Sequence, residues 1–217
     1  MVDYVFPPSD PVSLAVVASD ARFPVQRVFC VGRNYADHIP EMGGDTERSE
    51  PVFFAKSAAT LVESGERVAY PPNTRDMHYE VELVAAVGPD GIWGYGVGID
   101  LTRRDLQSAA KRSGSPWDRA KNFPDSAPCS AITPAGDVDL SAARIVLRKN
   151  GEIMQAGKLS DMIWSVAEIQ ARLSADMGLG AGDLIFTGTP AGVGPVVVGD
   201  ELEGGIEGLA PIRVRIV

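Results

Sequence analysis

Apolar and polar positions alternate along this chain as in short strands broken by turns, with two helical stretches set between them. Residues 28–31 (VFCV) form an apolar run of strand length that stops at Gly32, and residues 51–55 (PVFFA) have the same character. The longest such run, residues 81–87 (VELVAAV), is closed by the turn GPDG at 88–91. Residues 92–99 (IWGYGVGI) alternate glycine with larger apolar residues, so Gly94, Gly96 and Gly98 share one strand face and leave room there for another backbone. Helical spacing appears at Thr102, where Asp105 three residues on makes a capping-like start and Leu106, Ala109 and Ala110 follow. Asn150-Gly151 between two strand-like runs predicts a hairpin. A second helix is expected from Ser165 to Met177, with Val166, Ile169 and Leu173 on one stripe and Gly178 and Gly180 closing it. Residues 183–187 and 212–217 read as strands. The whole pattern predicts an α+β fold with strands in the majority.

Residues 1–24, interrupted by Pro7, Pro8, Pro11 and Pro24, read as an N-terminal arm, and residues 25–217 as one catalytic domain. Residues 33–50 are polar and acidic around Gly43-Gly44, which predicts an exposed loop. Residues 36–48 within it are expected to act as a lid that orders over substrate.

The 217 residues and 45% apolar content suit one globular domain rather than a disordered or fibrous chain. The net charge of −9 opposes binding to phosphate backbones, so no nucleic-acid partner is expected. No run of eighteen apolar residues is present, so no membrane span is expected, and the N-terminus lacks a signal-peptide pattern. Cys30 and Cys129 form no CxxC and are read as buried free thiols of a cytoplasmic protein.

The sharpest chemistry lies in His78-Tyr79-Glu80-Val81-Glu82. Residues two apart on a strand share a face, so Glu80 and Glu82 stand side by side and repel unless water or a cation separates them. A simply wet face is the alternative. Asp100 ends the next strand and either joins this pair or caps the following helix. Three carboxylates without a nearby thiol make a hard oxygen site, suited to Mg²⁺ or Mn²⁺ more than to Zn²⁺. His38 and Glu41, three residues apart, either form an imidazole–carboxylate general base or belong to a surface turn. Lys121, in an expected loop, is an anion-binding candidate or a solvated side chain. The glycine-rich turn at 188–194, with Thr189, either cradles a carboxylate or oxyanion or is only a tight turn. The SxxK match at Ser108-Ala109-Ala110-Lys111 lies on an ordinary helix and lacks its companion motifs, so no serine nucleophile is assigned. Neither GxGxxG nor GxxxxGK[ST] occurs.

Taken together, VGRNYADH (31–38), HYEVELVAAVG (78–88), GYGVGIDLTRRDLQ (94–107), WDRAKNFPDSAP (117–128) and GDLIFTGTPAGVG (182–194) resemble the fumarylacetoacetate hydrolase family, in the family's own order. The resemblance implies a mixed β-roll, a homodimer, and a divalent metal, Mg²⁺ or Mn²⁺, held by Glu80, Glu82 and Asp100. It places a His–Glu pair at His38 and Glu41 and an active-site lysine at Lys121. It also puts Arg33, Arg104, Gln107 and Thr189 where the family contacts substrate or the reaction's oxyanion. The implied activity is cleavage of a carbon–carbon bond in a small 2,4-diketo acid, with fumarylpyruvate giving fumarate and pyruvate. Oxaloacetate decarboxylation, acylpyruvate hydrolysis and isomerisation of a hydroxydienedioate on the same site are the alternatives, as is a catalytically inactive binding protein. Two departures stand out. Lys56-Ser57 replaces the frequent Lys-Pro, and the connection from Val87 to Ile92 is a mere turn.

Overall fold

The apolar run at residues 81–87 folds as the strand Val81–Gly88, buried along its whole length, at the centre of the largest sheet. The computed structural model describes residues 3–35, 50–136 and 138–217. Across the tight turn predicted from the sequence, Val81–Gly88 pairs antiparallel with Gly91–Ile99, and on its other edge it pairs antiparallel with Asp183–Phe186. Asp183–Phe186 runs parallel to Arg27–Gly32, which makes the sheet mixed. Val52–Lys56 extends one end of the sheet, and Ala127–Cys129 and Leu61–Glu63 extend the other.

The central strand reads as a run because both its faces are covered. Val81 and Leu83 enter a core shared with Ile145, Leu147, Val214 and Ile216 of a second, five-stranded sheet. Val84 and Ala86 enter another core, with Val28, Leu184 and Phe186. A third core lies farther along the strand, where Ala85 and Val87 meet Ile169 and Leu173 of a helix. The fold is thus the strand-rich, mixed β-roll type of α+β structure, and no helix among the described residues is long and apolar enough to cross a membrane.

We label the helices α1 (Arg104–Ser113), α2 (Asp118–Lys121) and α3 (Val166–Met177). Helix α3 begins as the sequence predicts. The Ser165 hydroxyl accepts from the Glu168 amide while the Glu168 carboxylate accepts from the Ser165 amide, and Gly178 closes the helix in the left-handed region. Asn150 and Gly151, both at positive φ, make the predicted hairpin between Arg144–Lys149 and Glu152–Lys158.

Three local expectations differ from what is observed. Within the stretch read as an arm, Ser13–Val16 and Ser19–Pro24 form a hairpin that buries Leu14, Val16 and Phe23 in the second core. Thr102 does not cap α1 but pairs with His78 in a short strand, and the helix starts two residues later. Lys121 ends a short helix rather than sitting in a loop.

The glycines of Gly91–Ile99 do make room, but for different neighbours. A Cβ at Gly94 would lie 2.6 Å from the backbone oxygen of Thr133, whereas one at Gly98 would lie 2.4 Å from the Phe186 ring. Phe186 is itself fully buried and cannot swing away. Gly98→Ala is therefore expected to destabilise the protein by about 1–3 kcal/mol in urea unfolding. Gly205→Ala, where a Cβ meets nothing within 4 Å, is expected to stay within about 0.5 kcal/mol of the parent.

Candidate active site

Strand register assembles the site. Glu82 stands opposite Gly98 and Val81 opposite Ile99, so the antiparallel ladder carries on to set Glu80 beside Asp100, and the Asp100 amide donates to the Glu80 carbonyl at 2.8 Å. Tyr79, Val81 and Leu83 point into the first core, which turns Glu80 and Glu82 to the other side of the chain. All three carboxylates are buried, and one oxygen from each lies within 4.8 Å of the others. Neither a wet face nor a helix-capping Asp100 is what the structure shows.

Three basic side chains surround the acids. Lys121 Nζ donates to Glu80 Oε2 at 2.7 Å, to Asp100 Oδ2 at 2.6 Å and to Thr102 Oγ1 at 2.6 Å. Arg104 pairs with Glu80 Oε1 and donates to Gln107 Oε1 at 2.6 Å. Lys56 Nζ stands 2.9 Å from Asp100 Oδ1 and donates to the carbonyls of Ser126, Leu101 and Lys121. Burial pulls the Lys121 pKa down, but the charges of Asp100 and Glu80 outweigh it and raise it above the usual lysine range, so the ammonium stays charged.

Glu82 is the exception. Its Oε2 accepts from the Gly188 amide at 2.8 Å, and no basic side chain among the described residues forms an ion pair with it. Burial, then the charges of Asp100 and Glu80, push its pKa well above the usual carboxylate range. Asp100 Oδ1, for its part, is buried and faces the Lys56 ammonium at 2.9 Å. Octahedral oxygen ligands at about 2.1 Å from an ion lie at most about 4.2 Å apart, so three carboxylate oxygens within 4.8 Å of one another need draw together only slightly to share one. A divalent cation would supply the positive charge that Glu82 lacks. The residues present therefore fit such an ion.

The remaining candidates fall into three groups. Arg33, Gln107, Lys121 and Thr189 line one pocket together with the three carboxylates, whereas Arg104 acts on that pocket through Glu80 and Gln107. In the turn at 188–194, the Gly188 amide holds the protein's own Glu82, and Thr189 Oγ1 accepts from Gln155 Nε2 at 2.8 Å. His38 and Glu41, with the rest of residues 36–49, lie outside the described residues. The sequence reading missed Lys56, Thr102 and Gln155 as parts of the site. For Lys56 a signal exists, since a lysine closing an apolar strand two residues after Phe54 shares that residue's face. Thr102 and Gln155 carry no local signal of this kind.

Both thiols are buried and unpaired, and burial pushes Cys30 well up and Cys129 up to about 12, which leaves neither available as a nucleophile.

Comparison with known proteins adds independent findings. Residues 27–217 match the profile of the family described as Fumarylacetoacetate (FAA) hydrolase C-terminal. The chain is 44% identical to a fumarylpyruvate hydrolase of Ralstonia sp., over 81% of this chain and 98% of that relative. It is 41% identical to the mitochondrial oxaloacetate tautomerase of Mus musculus, over 88% and 91% respectively. Its structure is similar to that of a fumarylpyruvate hydrolase from Pseudomonas aeruginosa in complex with Mn²⁺ and pyruvate, with a TM-score of 0.96 and 45% identity over 99% of each chain.

Proposed function

The chain belongs to the fumarylacetoacetate hydrolase family, as an enzyme acting on carbon–carbon bonds, and on that premise we propose that it hydrolyses a 2,4-diketo acid, most specifically fumarylpyruvate to fumarate and pyruvate. The observation that carries this reading is the buried cluster of Glu80, Glu82, Asp100 and Lys121 in a chain so similar to two fumarylpyruvate hydrolases. Glu80, Glu82 and Asp100 would hold a divalent cation, Mg²⁺ or Mn²⁺. When bound, it supplies positive charge to the 2-keto acid end of the substrate and to the enolate that leaves.

The chain's own residues perform the rest. Hydrolysis adds water to the C4 carbonyl and breaks the bond from C4 to C3, and the proton taken from water returns to the pyruvate fragment. We assign water activation to His38, oriented by Glu41. Lys121 stays protonated against Glu80 and Asp100, which keeps a buried positive charge where the enolate forms. Arg104 fixes Glu80 and Gln107 in one arrangement, while Gln155 fixes Thr189 at the pocket wall. A net charge of −9 does not prevent binding of an anionic acid, because local field outweighs net charge at short range.

The second reading is oxaloacetate tautomerisation, favoured by the 41% identity to the mouse enzyme. It needs proton transfer at C3 but no attacking water and no bond scission. The two are separated by incubating the Mn²⁺-loaded protein with fumarylpyruvate and, separately, with enol-oxaloacetate. The expected result is fumarate and pyruvate in equal amounts, with kcat/KM for fumarylpyruvate at least roughly tenfold above that for oxaloacetate. Rapid ketonisation of oxaloacetate with no fumarate released would overturn the hydrolase assignment in favour of the second reading.

A further inference from the structure

Helix α1 turns Arg104, Gln107 and Lys111 onto one stripe, at spacings of three and four residues. Arg104 is bound to Gln107 and to Glu80. Lys111 belongs to neither the carboxylate cluster nor its counter-ions, yet it lines the same pocket, beside Arg33 and Trp117. Its ammonium sits 5.3 Å from the centroid of the Trp117 ring, a cation–π contact that orients it without neutralising it. No carboxylate among the described residues pairs with it. Burial, followed by the charges of Arg104 and Arg33, lowers its pKa to about 8. Arg33 adds a second unmet donor. Its backbone is in the left-handed region, at φ 62, and its buried Nε has no hydrogen-bond partner. Two partly buried cationic side chains in one pocket, neither in an ion pair with a described carboxylate, favour an anion that joins them.

We propose that Lys111 and Arg33 form a subsite for the far carboxylate of a 2-keto dicarboxylic acid, so that the enzyme selects diacids over monoacids of the same length. The proposal rests on the reading of the carboxylate cluster as the seat of the 2-keto acid end. Seven residues of helix rise set Lys111 about 10 Å along the axis from Arg104, whose guanidinium reaches Glu80 of the carboxylate cluster. A seven-carbon diacid, with carbon–carbon bonds of about 1.5 Å, spans a similar distance, and a four-carbon one falls well short. Trp117 and Phe54, which also line the pocket, cover the apolar carbon chain between the two charged ends.

The test uses ligands that cannot be hydrolysed at C4. Binding of 2-oxoheptanedioate and of 2-oxoheptanoate to the Mn²⁺-loaded protein is measured by calorimetry for the parent, K111M, K111Q and K111R. The parent is expected to bind the diacid at least roughly tenfold more tightly, the usual worth of a charge-assisted hydrogen bond. K111M and K111Q are expected to bind both acids with near-equal affinity at the parent's monoacid level, and K111R to keep the preference. Equal binding of the two acids by the parent, or an unchanged preference in both K111M and K111Q, overturns the subsite. A fall in affinity for both acids alike in those variants overturns it too, since that marks a structural role. If the parent binds neither acid, the reading of the main site fails first, and the subsite falls with it. Unfolding curves of the variants, expected to overlay the parent's, separate these outcomes from loss of fold.

Discussion

Glu82→Ala is expected to abolish cation binding and to lower turnover by at least roughly 10³-fold, the scale set by losing several kcal/mol of charge stabilisation. Among the three acids Glu82 is the one whose carboxylate no basic side chain of the described residues meets, so its charge is the one the cation answers. Glu80 and Asp100 each have Lys121 as a partner. The fold is expected to survive, because what the substitution strands is one amide, that of Gly188, while it removes a buried charge that the surroundings oppose. Calorimetric titration with Mn²⁺ checks the first half of this expectation and the fumarylpyruvate assay the second. Parent-level activity in the variant, or in rigorously chelated parent, would sink the metal assignment.

His38→Ala is expected to lower hydrolysis by a factor of roughly 10²–10⁴, the usual worth of a positioned general base. Mn²⁺ binding is expected to be unchanged, since His38 is not assigned as a ligand. Decarboxylation of oxaloacetate, which needs no activated water, should fall far less. Glu41→Gln should show a milder loss, because it removes the orienting charge and keeps an acceptor. The hydrolase rate is expected to fall at acid pH, where the imidazole takes up a proton and ceases to act as a base. Paired assays with an acylpyruvate and with oxaloacetate check each variant. Hydrolysis at the parent rate in His38→Ala would show that another group activates water.

Much of the site was legible because strand periodicity is strict. Glu80 and Glu82 could be assigned to one face from their spacing alone, and the apolar run after them implied a covered strand. Helix α3 was legible from Ser165, from the stripe of Val166, Ile169 and Leu173, and from Gly178, because caps and helical spacing act through neighbours in the chain. The start of α1 was misread at Thr102. A capping signal there is overridden by pairing with His78 and by the hydrogen bond from Lys121, both set by segments distant in sequence. Lys121 itself was read as a loop residue, since a four-residue helix has too little length to show a period. The hairpin at Ser13–Val16 and Ser19–Pro24 was hidden behind prolines, and what holds it is burial against the far end of the sheet.

By itself, then, the sequence determined residue types, periodicity and caps: two acids on one face, a third at the end of the following strand, a hairpin at Asn150-Gly151, and a strand-rich domain. These are properties of neighbours along the chain, within the reach of backbone geometry. The tertiary structure alone decided which charges meet. Asp100 comes beside Glu80 through the register of an antiparallel ladder, Lys56 and Lys121 enter from strand and helix segments that are far apart in the chain, and Gln155 reaches Thr189 from another sheet. The charge state of Glu82 depends on the same assembly, because burial and the field of distant carboxylates are set only once the chain has packed.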